Sequence, residues 1–356
     1  MTTSHPHIAV IGAGLIGLST ADALLRRGAR VTVVERRSAP MGGASHANSG
    51  MIHPSQACSW DGPANDPELD TAVHALALRS RDLLAERMAE LGLHDMQERA
   101  PGCFQLFDSD EDAEAARARL RVRGIAVETV ASGTLPIDRP SLHFPDDRSG
   151  DARAYGMALY ASIVARGARI HFGSPVELQL SGGRAALSTC NGPIEADAIV
   201  IAAGSETPSL LDAIGLAIPI RPVRGWAADY ARPQGVNLPP APVMDAMTRS
   251  ALTVFSDRVR LSGTWGEETP DLLLRRWQEL WPAFFRAVPE PDMTWSGLRP
   301  VCALGHPLIA ETSVESVWVN AGHGHMGWTL CAGSGELLAK ALLDGQGVQP
   351  FCMRVT

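Results

Sequence analysis

The chain has 356 residues, 45% hydrophobic and 20% charged, an ordinary globular make-up with room for about two domains. Its net charge of −8 and its scattered basic residues argue against a nucleic-acid partner, and no run reaches the roughly 20 apolar residues that a membrane-spanning helix needs. Six cysteines (Cys58, Cys103, Cys190, Cys302, Cys331 and Cys352) form no Cys-x-x-Cys pair, which excludes the usual zinc spacing and points to free thiols in the cytoplasm, with peripheral membrane contact left open.

The first elements are the most informative. Residues 7–11 read as a strand, Gly12-Ala13-Gly14-Leu15-Ile16-Gly17 as a glycine turn, 15–27 as a helix closed by Gly28, and 31–34 as a second strand ending at Glu35. This is the order of a dinucleotide-binding βαβ unit. Gly12 permits the tight turn, Gly14 lets the backbone approach a pyrophosphate, and Gly17 lets helix and strand pack closely. The helix N-terminus offers N–H groups and the positive end of its dipole to the phosphates. Glu35 offers a carboxylate to ribose hydroxyls and disfavours a 2′-phosphate.

Residues 42–54 form a loop of small and hydrogen-bonding residues, suited to lining a flat cofactor. Amphipathic helices follow at 70–91, 111–123 and 151–166, each closed by a glycine, with a strand at 168–172 and another at 194–203 running into Gly204. Between 221 and 263 the pattern changes to short β-like runs broken by prolines, such as 251–255 and 259–262. A helix is expected at 270–287, a strand at 317–320, and a helix at 333–343. The segment 320–329 is a second glycine-rich turn that presents a helix N-terminus to something electron-rich. Parallel βα units at both ends, with β-rich material between, imply interleaved domains: 1–60, 150–220 and 290–356 in one, 61–149 and 221–289 in the other.

Several ordered segments extend this reading. They are the N-terminal turn, Ala44-Ser45-His46-Ala47-Asn48-Ser49-Gly50-Met51-Ile52-His53-Pro54, Gly150-Asp151, and Val200-Ile201-Ala202-Ala203-Gly204. Pro222-Val223-Arg224-Gly225-Trp226, Gly297-Leu298-Arg299-Pro300, and Gly322-His323-Gly324-His325-Met326-Gly327-Trp328-Thr329-Leu330 with Gly333-Ser334-Gly335 complete them. Together they resemble the D-amino-acid oxidase superfamily of FAD enzymes, and within it the bacterial D-amino-acid dehydrogenase group.

The resemblance implies an α/β fold in which a Rossmann-like FAD-binding domain of the glutathione-reductase type is interleaved with a β-rich substrate domain. It carries the cofactor onto Gly12, Gly14, Ile16, Gly17, Glu35, Arg36, Ala44, Ser45, Asn48, Ser49, Gly50, Met51 and Ile52. Val176, Ala203, Gly204, Gly324, His325, Met326, Gly327, Trp328 and Thr329 belong to the same set. Arg299 becomes the two-pronged partner of the substrate carboxylate, a geometry lysine does not copy. His325 either faces the substrate or braces its turn. His53 and Trp226 are assigned to the substrate pocket, Arg224 to its roof, and Arg36 to the adenine side or to solvent. His46, His53 and His323 also read as histidines satisfied within their loops.

The implied chemistry is hydride transfer from the α-carbon of a D-amino acid, a D-proline derivative included, to flavin N5. Water then converts the imino acid to an oxo acid, and no obligatory side-chain base is required. The electron acceptor is a quinone, an electron-transfer protein or oxygen. Two alternatives stay open: a glycine- or sarcosine-type oxidase releasing hydrogen peroxide, and a non-catalytic FAD-binding subunit of a larger complex. The chain departs from the family pattern in three ways. About 50 residues are missing between the 44–54 loop and the 70–91 helix, Val301-Cys302-Ala303 stands where Pro-Asp-Gly often follows Arg-Pro, and His325 replaces a small hydroxyl residue.

Overall fold

The computed structural model describes residues 5–46, 48–57, 66–93, 101–266 and 269–352; Ala47 and Cys58 lie outside them. The chain opens with β1 (His7–Ile11), α1 (Leu15–Arg26) and β2 (Arg30–Val34). Then come β3 (Met51–Ile52), α2 (Pro67–Glu90), β4 (Cys103–Leu106), α3 (Asp110–Val122), β5 (Glu128–Thr129), β6 (Ser141–Phe144) and β7 (Arg148–Ser149). The middle holds α4 (Ala152–Ala165), β8 (Arg169–His171), β9 (Val176–Ser181), β10 (Arg184–Thr189), β11 (Gly192–Ile194), β12 (Ala198–Ile201) and α5 (Thr207–Asp212). The rest is β13 (Ile220–Ala231), β14 (Val243–Asp245), β15 (Ser250–Val254), β16 (Arg258–Gly263), α6 (Pro270–Leu280) and α7 (Pro282–Ala287). β17 (Met293–Cys302), β18 (Leu308–Glu311), β19 (Val317–Ala321) and α8 (Gly327–Asp344) close the order.

Two large sheets organise these elements. The first runs β18-β19-β12-β1-β2-β8, parallel except for β18. Alternate residues of β1 enter different cores: Ile8 and Val10 join side chains of α1, α2, α4 and α8, whereas Ala9 and Ile11 join Leu178, Leu187 and Val319. Covering on both faces is what lets β1 be apolar from Ile8 to Ile11. The second sheet runs β17-β13-β16-β15-β14-β4-β6-β5 and packs Tyr230, Leu252 and Leu261 against Trp277, Trp281 and Phe284 of the α6–α7 region.

The small residues of α8 have a packing cause. A Cβ at Gly333 would stand 2.8 Å from Ser80 Cβ on α2, and one at Gly335 would stand 2.8 Å from the Ser19 carbonyl on α1. The two glycines let α8 lie directly on both helices. Asp151 caps α4 by accepting from the Arg153 and Ala154 N–H groups, and Ser109 and Asp66 cap α3 and α2 similarly.

Several expected boundaries move. The helix expected at 270–287 is two helices, because Pro282 disfavours helical backbone at Trp281, whose φ is −139°. The last helix begins at Gly327 rather than 333, since tertiary packing overrides the poor intrinsic propensity of its glycines. The strand expected at 194–203 shortens to β12. The broken β-like runs after 221 begin as one 12-residue strand, β13. Its Pro222 sits beyond the pairing with β16, opposite Pro300, where a ladder donor is not needed on that side. Residues 293–302, expected with the dinucleotide-binding part, are β17 of the second sheet instead. Among the described residues no helix is long and apolar enough to cross a membrane.

Candidate active site

The glycine turn sits between β1 and α1, under β12. Gly12 has φ +109°, and a Cβ there would meet the Ala202 carbonyl oxygen at 2.5 Å, so both backbone conformation and space demand glycine. A Cβ at Gly17 would lie 1.9 Å from the Gly12 carbonyl oxygen. Gly17 therefore fixes the turn from behind and does not line the cavity. Gly14 and Ile16 do line it, as do Glu35, Arg36, Val176, Ala203 and Gly204. Glu35 is held by the turn itself: its carboxylate accepts from the Ala13 N–H at 2.8 Å and the Arg37 N–H at 2.8 Å. Each oxygen keeps acceptor capacity for a ribose hydroxyl. Arg36 pairs with Glu206 at 2.9 Å; both side chains are about half exposed and border the cavity, so the pair closes one end while adding little stability.

The 44–53 loop forms the next wall. Ala44, Ser45, Asn48, Ser49, Met51 and His53 line the cavity. Ser45 Oγ accepts the Leu15 N–H at 3.0 Å, taking one of the free donors at the start of α1. Gly50 and Ile52 point away. Phe255 fills the space beside Gly50, whose carbonyl accepts from Trp328 Nε1 and the Gly150 N–H, and Ile52 is buried among the helices. Two further carbonyls of the loop are held from the second sheet. Thr253 Oγ1 donates to the Ser49 carbonyl at 2.6 Å, and Arg260 Nη1 to the Asn48 carbonyl at 3.1 Å. Arg260, 4% exposed, is fixed by two 2.6 Å bonds to Asp229.

The turn before α8 faces the same cavity with Gly324, His325, Gly327 and Trp328. Met326 is buried in the core, and Thr329 turns inward to accept the His53 N–H at 3.1 Å; these two support the wall rather than form it. The expectation that His53 and His323 are satisfied in their loops fails. His53 Nδ1 and both ring nitrogens of His323 are buried without a hydrogen-bond partner, although both residues border the cavity. Burial, aided at His53 by nearby His325, lowers each ring to about 3, so both are neutral at ordinary pH. His46 stacks on Trp295 at 5.5 Å.

The second sheet supplies the far wall. Arg299 Nη1 donates to the Thr264 carbonyl at 2.8 Å and the Arg224 carbonyl at 3.3 Å, while Nη2 reaches the Gly263 carbonyl at 3.3 Å. Its guanidinium lies 5.8 Å from the Trp265 ring centre, and His325 meets that ring edge-on at 6.1 Å. Trp226, Trp265 and Trp295 all line this end. Sequence reasoning missed Trp265, Trp295, Thr264, Arg249 and the Gln56–Gln105 pair, bonded at 3.3 Å.

These walls enclose one cavity of about 790 Å³, within the range of cofactor and ligand pockets. One end is built for a dinucleotide, and orphaned imidazole nitrogens border it where a polar heterocycle could bond them. The residues present therefore fit FAD. The cavity is that of a flavin-dependent oxidoreductase. The sequence profile of the FAD dependent oxidoreductase family, DAO, matches residues 7–341, and the chain belongs to that family. It is 30% identical to a D-amino acid dehydrogenase of Cereibacter sphaeroides over an alignment of 408 residues that covers 95% of this chain and 92% of the relative. The fold is similar to that of iminodiacetate oxidase from Chelativorans sp. BNC1 (TM-score 0.84, 22% identity, 98% and 99% of the two chains). It is also similar to glycine oxidase from Geobacillus kaustophilus (TM-score 0.83, 24% identity, 99% of each chain).

Proposed function

We propose that the protein oxidises the carbon–nitrogen bond of a D-amino acid, cyclic D-proline derivatives included, to an imino acid that water hydrolyses. The observation that carries this reading is that Arg299 and the glycine turn border one cavity, so a carboxylate-bearing amine and a dinucleotide can share it. The relatives named D-amino acid dehydrogenase support the substrate class. FAD, once bound, supplies the two-electron acceptor.

In this reading the chain's own residues do the positioning. Three backbone carbonyls hold the Arg299 guanidinium, so its orientation is set before the carboxylate arrives. Trp226, Trp265 and Trp295 keep water from the amine end of the substrate. Neutral His53 and His323 offer hydrogen bonds without adding charge beside the cofactor. The cofactor is assigned to the six-stranded sheet and the 44–51 loop, the substrate to the eight-stranded sheet. A quinone, an electron-transfer protein or oxygen then takes the electrons, with a partner subunit or a membrane surface as the place where this occurs.

The test is anaerobic mixing of the yellow protein with D- and L-amino acids, D-prolines, glycine and sarcosine while the visible flavin band is followed. Bleaching by D-amino acids alone is the expected result, and rapid recolouring in air would identify oxygen as acceptor. Bleaching by glycine or sarcosine alone would favour the oxidase alternative. Bound FAD that no amine bleaches would sink the reading and leave a non-catalytic subunit.

A further inference from the structure

The wall built by β14 and β15 carries a charge that the mechanism above does not use. Arg249 lies in the turn between these strands, lines the cavity, and is exposed. It makes no hydrogen bond or ion pair with a described residue. Its φ of 48° is left-handed, uncommon for a residue with a side chain. The carboxylate nearest in sequence, Asp245, is 1% exposed and already neutralised. Arg276 Nη2 lies 3.0 Å from its Oδ1, and the Thr248 N–H and hydroxyl donate to its Oδ2 at 3.0 and 2.6 Å. The positive charge of Arg249 is thus uncompensated among the described residues of this wall.

Arg249 is linked to Arg299 through one residue of β16, Gly263. Ser250, the next residue, packs on Gly263: a Cβ on that glycine would meet Ser250 Cβ at 2.8 Å. The Gly263 carbonyl in turn accepts Arg299 Nη2 at 3.3 Å. Gly263 is therefore touched on one side by the neighbour of Arg249 and on the other by the Arg299 guanidinium. Two cationic forks border one cavity with a single strand end between them.

We infer that Arg249 takes a second carboxylate, so that the preferred substrate is an amine with two acidic groups, one at Arg299 and one at Arg249. This rests on the amine-oxidising reading of the site. A neutral amide in place of the second acid would lose the charge-assisted bond and leave the guanidinium hydrated. A carboxylate bonded to arginine is favoured over such a neutral group by about ten- to a hundredfold in affinity.

The experiment is calorimetric titration of the FAD-loaded protein with glutarate and with its half-amide, neither of which has an amine to oxidise. Wild type should bind glutarate at least about tenfold more tightly. Arg249→Gln should bring glutarate to the level of the half-amide, and Arg249→Lys should restore part of the difference. Equal binding of the two anions to wild type, or a preference that survives in Arg249→Gln, overturns the assignment. D-glutamate and D-glutamine, compared by flavin bleaching, separate the two readings. If glutarate discrimination depends on Arg249 but no amino acid bleaches the flavin, the oxidation reading falls and Arg249 remains an anion site. If both amino acids bleach it at equal rates, the Arg249 assignment falls alone.

Discussion

Thr264 carries Arg299: its carbonyl oxygen is 2.8 Å from Nη1, and Thr264 itself holds a left-handed φ of 63°. That conformation costs a β-branched residue roughly 1–3 kcal/mol and persists only where the surroundings over-determine it. Here it turns a carbonyl toward a guanidinium at the wall of the cavity. The strain has a purpose if Arg299 must be oriented before substrate enters.

Arg299→Lys should therefore behave almost as badly as Arg299→Ala. A lysine is a point donor that does not span three carbonyls and still present a planar edge to a carboxylate. Losing such a pair costs about 2–5 kcal/mol, or roughly 30-fold and more in KM. Steady-state kinetics with carboxylate-bearing amines check this. A lysine variant with near-normal KM would show that Arg299 does not clamp the substrate.

Gly17→Ala should empty the cofactor site although Gly17 does not touch the cavity. The added methyl would lie 1.9 Å from the Gly12 carbonyl oxygen and push the whole turn. Overpacking of this kind costs about 1–3 kcal/mol. Purified protein should be colourless or nearly so, with a lowered unfolding temperature; a fully yellow, equally stable variant would contradict the packing argument.

Asp229→Ala strands Arg260, which is 4% exposed and bonded to Asp229 through both prongs. Removing one member of a buried pair costs about 3–5 kcal/mol. The Asn48 carbonyl should also lose its anchor, so urea unfolding and FAD affinity should weaken together. A stability loss with unchanged FAD affinity would mean that Thr253, Trp328 and Gly150 hold the 48–50 loop without Arg260.

Asp147 ties Ser55, and with it the turn after His53, by accepting from the Ser55 N–H at 3.0 Å and its hydroxyl at 2.6 Å. Burial raises this carboxyl from 3.8 to about 7, against the pull of those two bonds. A carboxyl raised on folding binds its proton more tightly in the folded state, so its contribution is full below 3.8 and is lost as pH climbs to about 7. His53 and His323, lowered to about 3, act in the opposite direction: their contribution is present above 6.5 and lost as pH falls. The comparison with Asp147→Asn isolates the carboxyl. Urea midpoints of wild type should fall relative to the variant as pH rises from 3.8 to about 7, and parallel curves would refute the assignment.

What could be read in the sequence was what depends on neighbours in sequence. The turn at Gly12 to Gly17 and Glu35 at the end of β2 follow from local backbone demands, as do the helix ends at Gly28, Gly92, Gly124 and Gly167. The break at Trp281 is also local, but its proline sits inside an otherwise helical pattern that masks it. The supports of the site were not legible. Arg260 meets Asn48 and Thr253 meets Ser49 across more than 200 residues, and nothing in either segment names the other. Gly50, Ile52, Met326 and Thr329 lie in motifs that the resemblance assigns mostly to the cofactor, yet part of such a motif must face inward to hold the rest. Arg249 and Trp265 sit in turns whose position depends on how the second sheet folds over the first.

The order β18-β19-β12-β1-β2-β8 also governs when the cofactor site can exist during synthesis. β1 and β2 leave the ribosome early, but β1 pairs with β12 and β12 with β19, so the sheet gains its last parallel strand only after residue 321. The glycine turn gains the Ala202 backbone that packs against it only once β12 has been made. Contacts so distant in sequence close slowly, and the early βαβ segment spends that interval with apolar strand surface uncovered. Chaperone binding to the nascent chain, followed along its length, should persist until the β19 region has emerged and then fall.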